Sequence, residues 1–283
     1  MLELAHFNNG WITPVLAYAI SVIGSVLGLR CAAHARDSRW PAGWLIAAAV
    51  ALGGCGIWVM HFTAMLGFAI TDATIRYDVP MTALSAAIAI VVVWIGLSIA
   101  VRVRRELIAL PIGGTITGLG VATMHYLGMY AMHSSAHMEY RTPLVALSIV
   151  IAVVAATAAL WFMLHVRGFR ATLGAALIMG LAVCGMHYTG MASMRAHAMD
   201  APATGVDPMQ LIGPLILIVT MVTMMLIVLV GLAELDDRSD FDLPSRPADP
   251  DHEAPNWPRT TDPTRRPGTG GGGYSGNAAI SSR

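Results

Sequence analysis

GCGIWVMHFTAM (Gly54–Met65), GLGVATMHYLGM (Gly118–Met129) and GLAVCGMHYTGM (Gly180–Met191) are three variants of one apolar segment. Each carries Met-His, then an aromatic ring, then a second Met four residues past the His. The histidines are His61, His125 and His187, separated by 64 and 62 residues. An ionisable side chain inside a membrane span is costly, and its default explanation is function. Three in register point to one shared site.

The surrounding composition makes these segments membrane spans. Hydrophobic residues make up 56% of the chain and charged residues 12%, against about 25% charged in a soluble domain. Seven apolar stretches of about 20 residues are expected to cross a bilayer. They are Trp11–Leu29, Trp44–Ile70, Pro80–Val101, Leu107–Met132, Pro143–Val166, Thr172–Met194 and Met209–Ala233. The expected fold is an all-α membrane protein, its seven transmembrane helices built from three repeated helix pairs plus one helix. The repeats fall near 44–101, 107–166 and 172–233, within a membrane domain of residues 1–233. Spans two, four and six carry the Met-His segment near their C-terminal ends. Gly24/Gly28 and Gly114/Gly118 have the small-xxx-small spacing that lets helices approach closely.

Loop arginines set the expected orientation. Arg30, Arg36, Arg39, Arg102, Arg104, Arg105, Arg167 and Arg170 fall in the first, third and fifth loops. The alternate loops hold only Arg76, Arg141 and Arg195. The first set is expected in the cytoplasm, with the N-terminus outside, the C-terminus inside and the histidines about 10–14 Å below the outer surface. Residues 234–283 are rich in Pro, Gly and charge and are expected to be a disordered cytoplasmic tail. The N-terminus has no basic region and does not read as a cleaved signal peptide.

Several function classes fall away. The chain has no lysine, all 17 basic residues being arginine. That excludes a P-loop and a Schiff-base chemistry, whether pyridoxal or retinal. Net charge is zero, so no nucleic-acid footprint appears. Cys31, Cys55 and Cys184 form no CxxC pair and no disulfide framework, and Cys31 is placed in a cytoplasmic loop.

On a helix, residues four and seven on from a His stay near its stripe, displaced by about 40° and 20°. These are Met65, Met129 and Met191, then Phe68, Met132 and Met194. Met60, Met124 and Met186, just before each His, sit on the flank. Imidazole with thioether is a copper ligand set, the soft sulfur selecting Cu(I). Neutral ligands also suit a membrane interior, and no Asp or Glu lies inside these three spans. The plainer readings are that Met fills core gaps and that His is a hydrogen-bond partner between helices. Threefold recurrence favours ligation over both. Two His could instead hold a haem iron. Cys184, three residues before His187, reads as a packed thiol. Tyr126 and Tyr188 are candidates to orient ligands, and Thr63 and Thr189 to bond helix carbonyls. His133, His137 and His197 read as solvated loop residues, and His165 as a snorkelling one.

At MHFT (60–63), MHYL (124–127) and MHYT (186–189) the chain resembles the MHYT domain family of bacterial membrane sensors. The resemblance covers most of residues 10–233. It implies copper held near the outer face by the motif's Met, His and Tyr, and sensing of oxygen, carbon monoxide or nitric oxide. Phe62 and Leu127 depart from the motif, which removes tyrosine coordination from the first repeat. The resulting expectation is a multi-pass protein of the bacterial inner membrane, a sensor rather than an enzyme. It binds copper, responds to a small gaseous ligand or to redox state, and signals to a cytoplasmic partner. The alternatives are a copper carrier or assembly factor and a haem-binding redox protein.

Overall fold

The computed structural model describes residues 4–5, 8, 10–70, 74–198 and 204–241. Seven helices in it are long and apolar enough to cross a membrane. They are α1 (Ile12–Asp37), α2 (Pro41–Met65), α3 (Val79–Arg102), α4 (Glu106–Tyr130), α5 (Thr142–His165), α6 (Phe169–Met191) and α7 (Pro208–Phe241). This is a multi-pass, all-helical membrane fold.

Helices α1 to α6 pack in sequence order, and α6 returns to pack on α1, closing a ring. α2, α4 and α6 alternate round that ring with α3, α5 and α1. The three helix pairs run in sequence as expected, but α1 takes the ring position that the repeat would assign to α7. α7 lies outside, with Leu226 and Val222 against Leu27, Ala51 and Cys55. Ile216, Leu217, Met221 and Met225 are left exposed, as suits a lipid-facing helix.

Glycines bring the ring helices together. A Cβ on Gly24 would collide with the backbone of Gly56, and one on Gly28 with Leu52. Gly114 meets Thr157 and Gly118 meets Val153 in the same way. Both expected small-residue pairs are therefore close-approach points. α2 changes winding along its length: Val50–Trp58 is a π-helix between α-helical ends. Such wide turns are rare. This one is held from both sides, by Gly24 of α1 at Gly56 and by the Ala89 backbone of α3 at Gly53. Trp58 Nε1 donates to Ser85 Oγ of α3 at 2.9 Å and anchors the turn just before His61.

Short ribbons join the loops at the histidine end. β1 (Leu4–Ala5) pairs antiparallel with β2 (Ala69–Ile70), β3 (Ile75–Tyr77) with β4 (Met132–Ser134), and β5 (Ala136–Tyr140) with β6 (Met194–Ala198). Each ribbon links neighbouring segments, so together they cap the end of the ring.

Several expected boundaries move. α2, α4 and α6 stop at Met65, Tyr130 and Met191 rather than Ile70, Met132 and Met194, because the apolar residues beyond them enter turns and ribbons. The histidines therefore lie four or five residues from their helix ends, about 6–8 Å, not 10–14 Å. Phe68, Met132 and Met194 leave the helical stripe, although they stay buried. α1 runs on to Asp37, so Cys31 is not in a loop: it is fully buried in the helix beside Ala32 and Ala35. α7 continues eight residues past Ala233, so 234–241 belong to a helix. The rest of the expected tail lies outside the described residues.

Candidate metal centre

His61, His125 and His187 meet on the ring axis. His61 Nδ1 is 3.0 Å from His187 Nδ1 and 3.1 Å from His125 Nδ1. The three ring centroids are 4.9–5.1 Å apart, each pair edge to face. The side chains are 0–1% exposed. Among the described residues this is the one group of three or more His, Cys, Asp or Glu able to hold a metal ion.

A neutral imidazole has one N–H and one lone pair. His61 Nδ1 touches two others and has a single proton or a single lone pair to share between them, so the two contacts compete for it. A cation at the centre removes that conflict. Nitrogens held about 2.0 Å from an ion stand about 3.3–3.5 Å apart, a few tenths of an ångström wider than the contacts here. The residues fit a three-nitrogen centre with slight expansion.

The outer ring nitrogens explain why Nδ1 points inward. A Cβ on Gly128 would overlap His61 Nε2, and one on Gly190 would overlap His125 Nε2. Each of these two rings is seated on the glycine three residues past the next repeat's His. Nε2 of His61 and of His125 is buried with no hydrogen-bond partner. Metal-ligating His usually passes its second N–H to a carboxylate or carbonyl; these two rings are fixed by packing instead. The corresponding residue of the first repeat is Ala64, buried beside Met60 and Cys184. These small residues were a sequence signal, Ala64, Gly128 and Gly190 standing at one repeat position, that a search for donor atoms overlooks.

The methionines divide. Met65, Met129, Met191, Met124, Met186, Met132 and Met194 share one buried cluster with Phe68, Trp58 and Phe62. Met60 lies in a separate cluster with Ala17, Ala64 and Cys184, so it breaks the equivalence with Met124 and Met186. Cys184 is a free, packed thiol. Beside each His lies its own aromatic neighbour, Phe62, Tyr126 or Tyr188, at 4.9 Å and nearly perpendicular. Tyr126 sends its hydroxyl to Ser148 Oγ at 2.6 Å, away from the histidines. Above the site, the Tyr77 ring packs on Phe62, and burial pushes its phenol well above the ordinary range. Thr189 bonds the Gly185 carbonyl at 2.7 Å, as expected. His133 lies outside the triad, its Nδ1 3.0 Å from the Thr204 carbonyl. His137 and His197 are paired positions in the β5–β6 register. His165, at the opposite end, lies 3.5 Å from Glu106.

One turn inward of the triad is a cavity of about 60 Å³. Ile57, Val121 and Val183, each four residues before a His, line it together with Met186 and Ala152. Its walls are almost wholly apolar, and such cavities stay dry and admit apolar guests.

Residues 54–112, 118–176 and 180–236 each match a family model described as MHYT, the bacterial signalling protein N-terminal repeat. The chain is 33% identical over 226 residues, 77% of its length, to the bifunctional diguanylate cyclase/cyclic di-GMP phosphodiesterase MucR of Pseudomonas aeruginosa. It is 41% identical over 147 residues, half its length, to the cyclic di-GMP phosphodiesterase NbdA of the same organism. The signaling protein YkoW of Bacillus subtilis is 32% identical over 172 residues, 56% of the chain. The matched regions span 33%, 19% and 20% of those three relatives. No solved structure matches.

Proposed function

Since the chain belongs to the MHYT family of bacterial signalling proteins, we propose that it is a membrane sensor whose input site is a copper ion held by His61, His125 and His187. The observation that carries this reading is the contact of Nδ1 atoms in a buried site made only of neutral donors. The Born cost of a buried ion rises with the square of its charge, and no carboxylate is present to compensate it. A monovalent ion therefore fits better than a divalent one, which favours Cu(I) over Zn(II). The clustered thioethers add soft donors close by. Bound copper would supply one-electron chemistry and affinity for a diatomic gas.

The sensed input is oxygen, carbon monoxide, nitric oxide or redox state. The dry cavity inward of the triad supports a gas, since it offers an apolar molecule a place beside the ligands. The site is fully buried under its ribbons, which suits a resident ion more than one handed on by a carrier. Haem fits poorly: its macrocycle would have to lie between rings whose nitrogens already touch. The histidine end faces outward, and α7 carries the signal to a cytoplasmic partner.

The test is the metal content and spectrum of the purified full chain. About one copper per chain, no Soret band and a gas-dependent change in the spectrum are expected. Zinc in place of copper, or a Soret band, would overturn the copper reading. Orientation is tested separately. Alkaline phosphatase fused after Thr74, between α2 and α3, should be active, and fused after Arg104 inactive. The reverse pattern would put the triad on the cytoplasmic side.

A further inference from the structure

Sulfur is distributed unevenly about the triad. Four residues before each His, one helical turn inward, stand Ile57, Val121 and Val183, and none carries sulfur. Four residues past each His, one turn the other way, stand Met65, Met129 and Met191, each 2% exposed. They occupy the last turns of α2, α4 and α6, beneath the ribbons. The next layer lies in the ribbons themselves: Met132 on β4 and Met194 on β6, both buried. Phe68 packs in the same cluster as the first repeat's counterpart. Met138 on β5 is only half-buried and packs against that cluster too. Thioethers therefore occur in successive layers from the half-buried cap down to the imidazoles. Methionines that merely fill core gaps have no reason to favour one side of the histidines.

We propose that Met138, Met132, Met194 and the three helix-end methionines form the route by which Cu(I) enters and leaves the triad. The inference rests on the copper reading of that site. A cation crossing an apolar cap without ligands meets a large desolvation cost. Neutral thioethers lower that cost. As soft donors they bind Cu(I) and serve a harder divalent ion such as Zn(II) poorly. At each step one bond from copper to sulfur or nitrogen forms as another breaks, and no electron or proton moves. The three imidazoles at the end of the route hold the ion, and the methionines pass it on. Selection for a soft monovalent ion is then made on the way in as well as at the site.

The full chain is purified, stripped with a strong Cu(I) chelator and reloaded from a coloured Cu(I) complex, whose bleaching gives the rate. Met132→Leu, Met138→Leu and Met194→Leu combined should slow reloading several-fold. Release to the chelator should slow by the same factor, so affinity and final copper content stay at wild-type values. Leu keeps the volume, so the cap remains closed and the fold intact. Met179→Leu, in the cavity wall inward of the triad, is the control and should reload at the wild-type rate. A combined variant that reloads at the wild-type rate overturns the route and leaves the metal centre standing. Equal slowing in Met179→Leu overturns it as well. Lost copper at equilibrium makes the cap methionines ligands of the resting ion, which also overturns a transfer role. A wild-type chain that takes up Zn(II) as fast as Cu(I) overturns it without any variant. A chain that takes up no copper overturns the metal centre and the route together.

Discussion

His125→Gln will strip copper from the protein while the chain still inserts and folds. The reasoning starts from the site's small number of donors. Three Nδ1 atoms supply every nitrogen at the centre, and no other His, Cys, Asp or Glu of the described residues joins them. Losing a group that only supports a ligand typically costs 10–100-fold in metal affinity, so losing one ligand of three should cost more than about 100-fold. His61→Gln and His187→Gln should do the same. Gln keeps a polar group and part of the volume, so the buried ring is not replaced by an empty hole. Fold is checked by monodispersity and thermal melting, and copper by stoichiometry. A triple His→Gln chain that still carries full copper would remove the metal centre altogether.

The methionines give a graded contrast. Met65, Met129 and Met191 lie in the large buried cluster, whereas Met60 belongs to another. Met is nearly interchangeable with Leu in volume, and such swaps usually cost less than about 1.5 kcal/mol. Met→Leu changes therefore separate sulfur ligation from packing, and Met60→Leu is the internal control.

The triad could be read from sequence because repetition placed His61, His125 and His187 at equal depth on spans of equal direction. What repetition could not show was which ring nitrogen faces the axis. For His61 and His125 the outer nitrogen is seated on Gly128 and Gly190, residues whose contribution is an absent side chain. Helix ends were misjudged for a related reason. Phe68, Met132 and Met194 are as apolar as the spans they follow, and hydropathy does not distinguish a last helical turn from a buried ribbon. Conversely, Arg30 and Arg36 made the end of α1 look like a loop, although both stand in the helix, Arg30 paired with Glu234 and Arg36 on the α5 carbonyls of Met163 and Leu164. The exchange of α1 for α7 in the ring was also hidden. Both are apolar helices of suitable length, and only packing against α6 tells them apart. The proposal of copper rests on donor chemistry, which residue types reveal, and on the meeting of the three buried rings, which needed the fold.

Gly190→Ala should lower copper affinity about 10–100-fold without touching a ligand. The added Cβ would occupy the space of His125 Nε2, and the His125 ring is fully buried, so it must tilt or push toward its neighbours. Nitrogens already 3.0–3.1 Å apart cannot approach further, so Nδ1 is displaced from the axis. Overpacking of this kind commonly costs about 1–3 kcal/mol of stability, so melting should fall as well. Gly128→Ala acts on His61 by the same contact. Ala64→Gly is the contrasting change: the first repeat already accommodates a Cβ there, so its removal should leave three nitrogens on the metal. X-ray absorption separates a positioning effect from general damage. One copper–nitrogen distance should lengthen in Gly190→Ala, and all three should stay as in the wild type in Ala64→Gly. If Gly190→Ala keeps all three distances and wild-type affinity, the glycine seat does not orient the ring, and the inward turn of Nδ1 needs another cause.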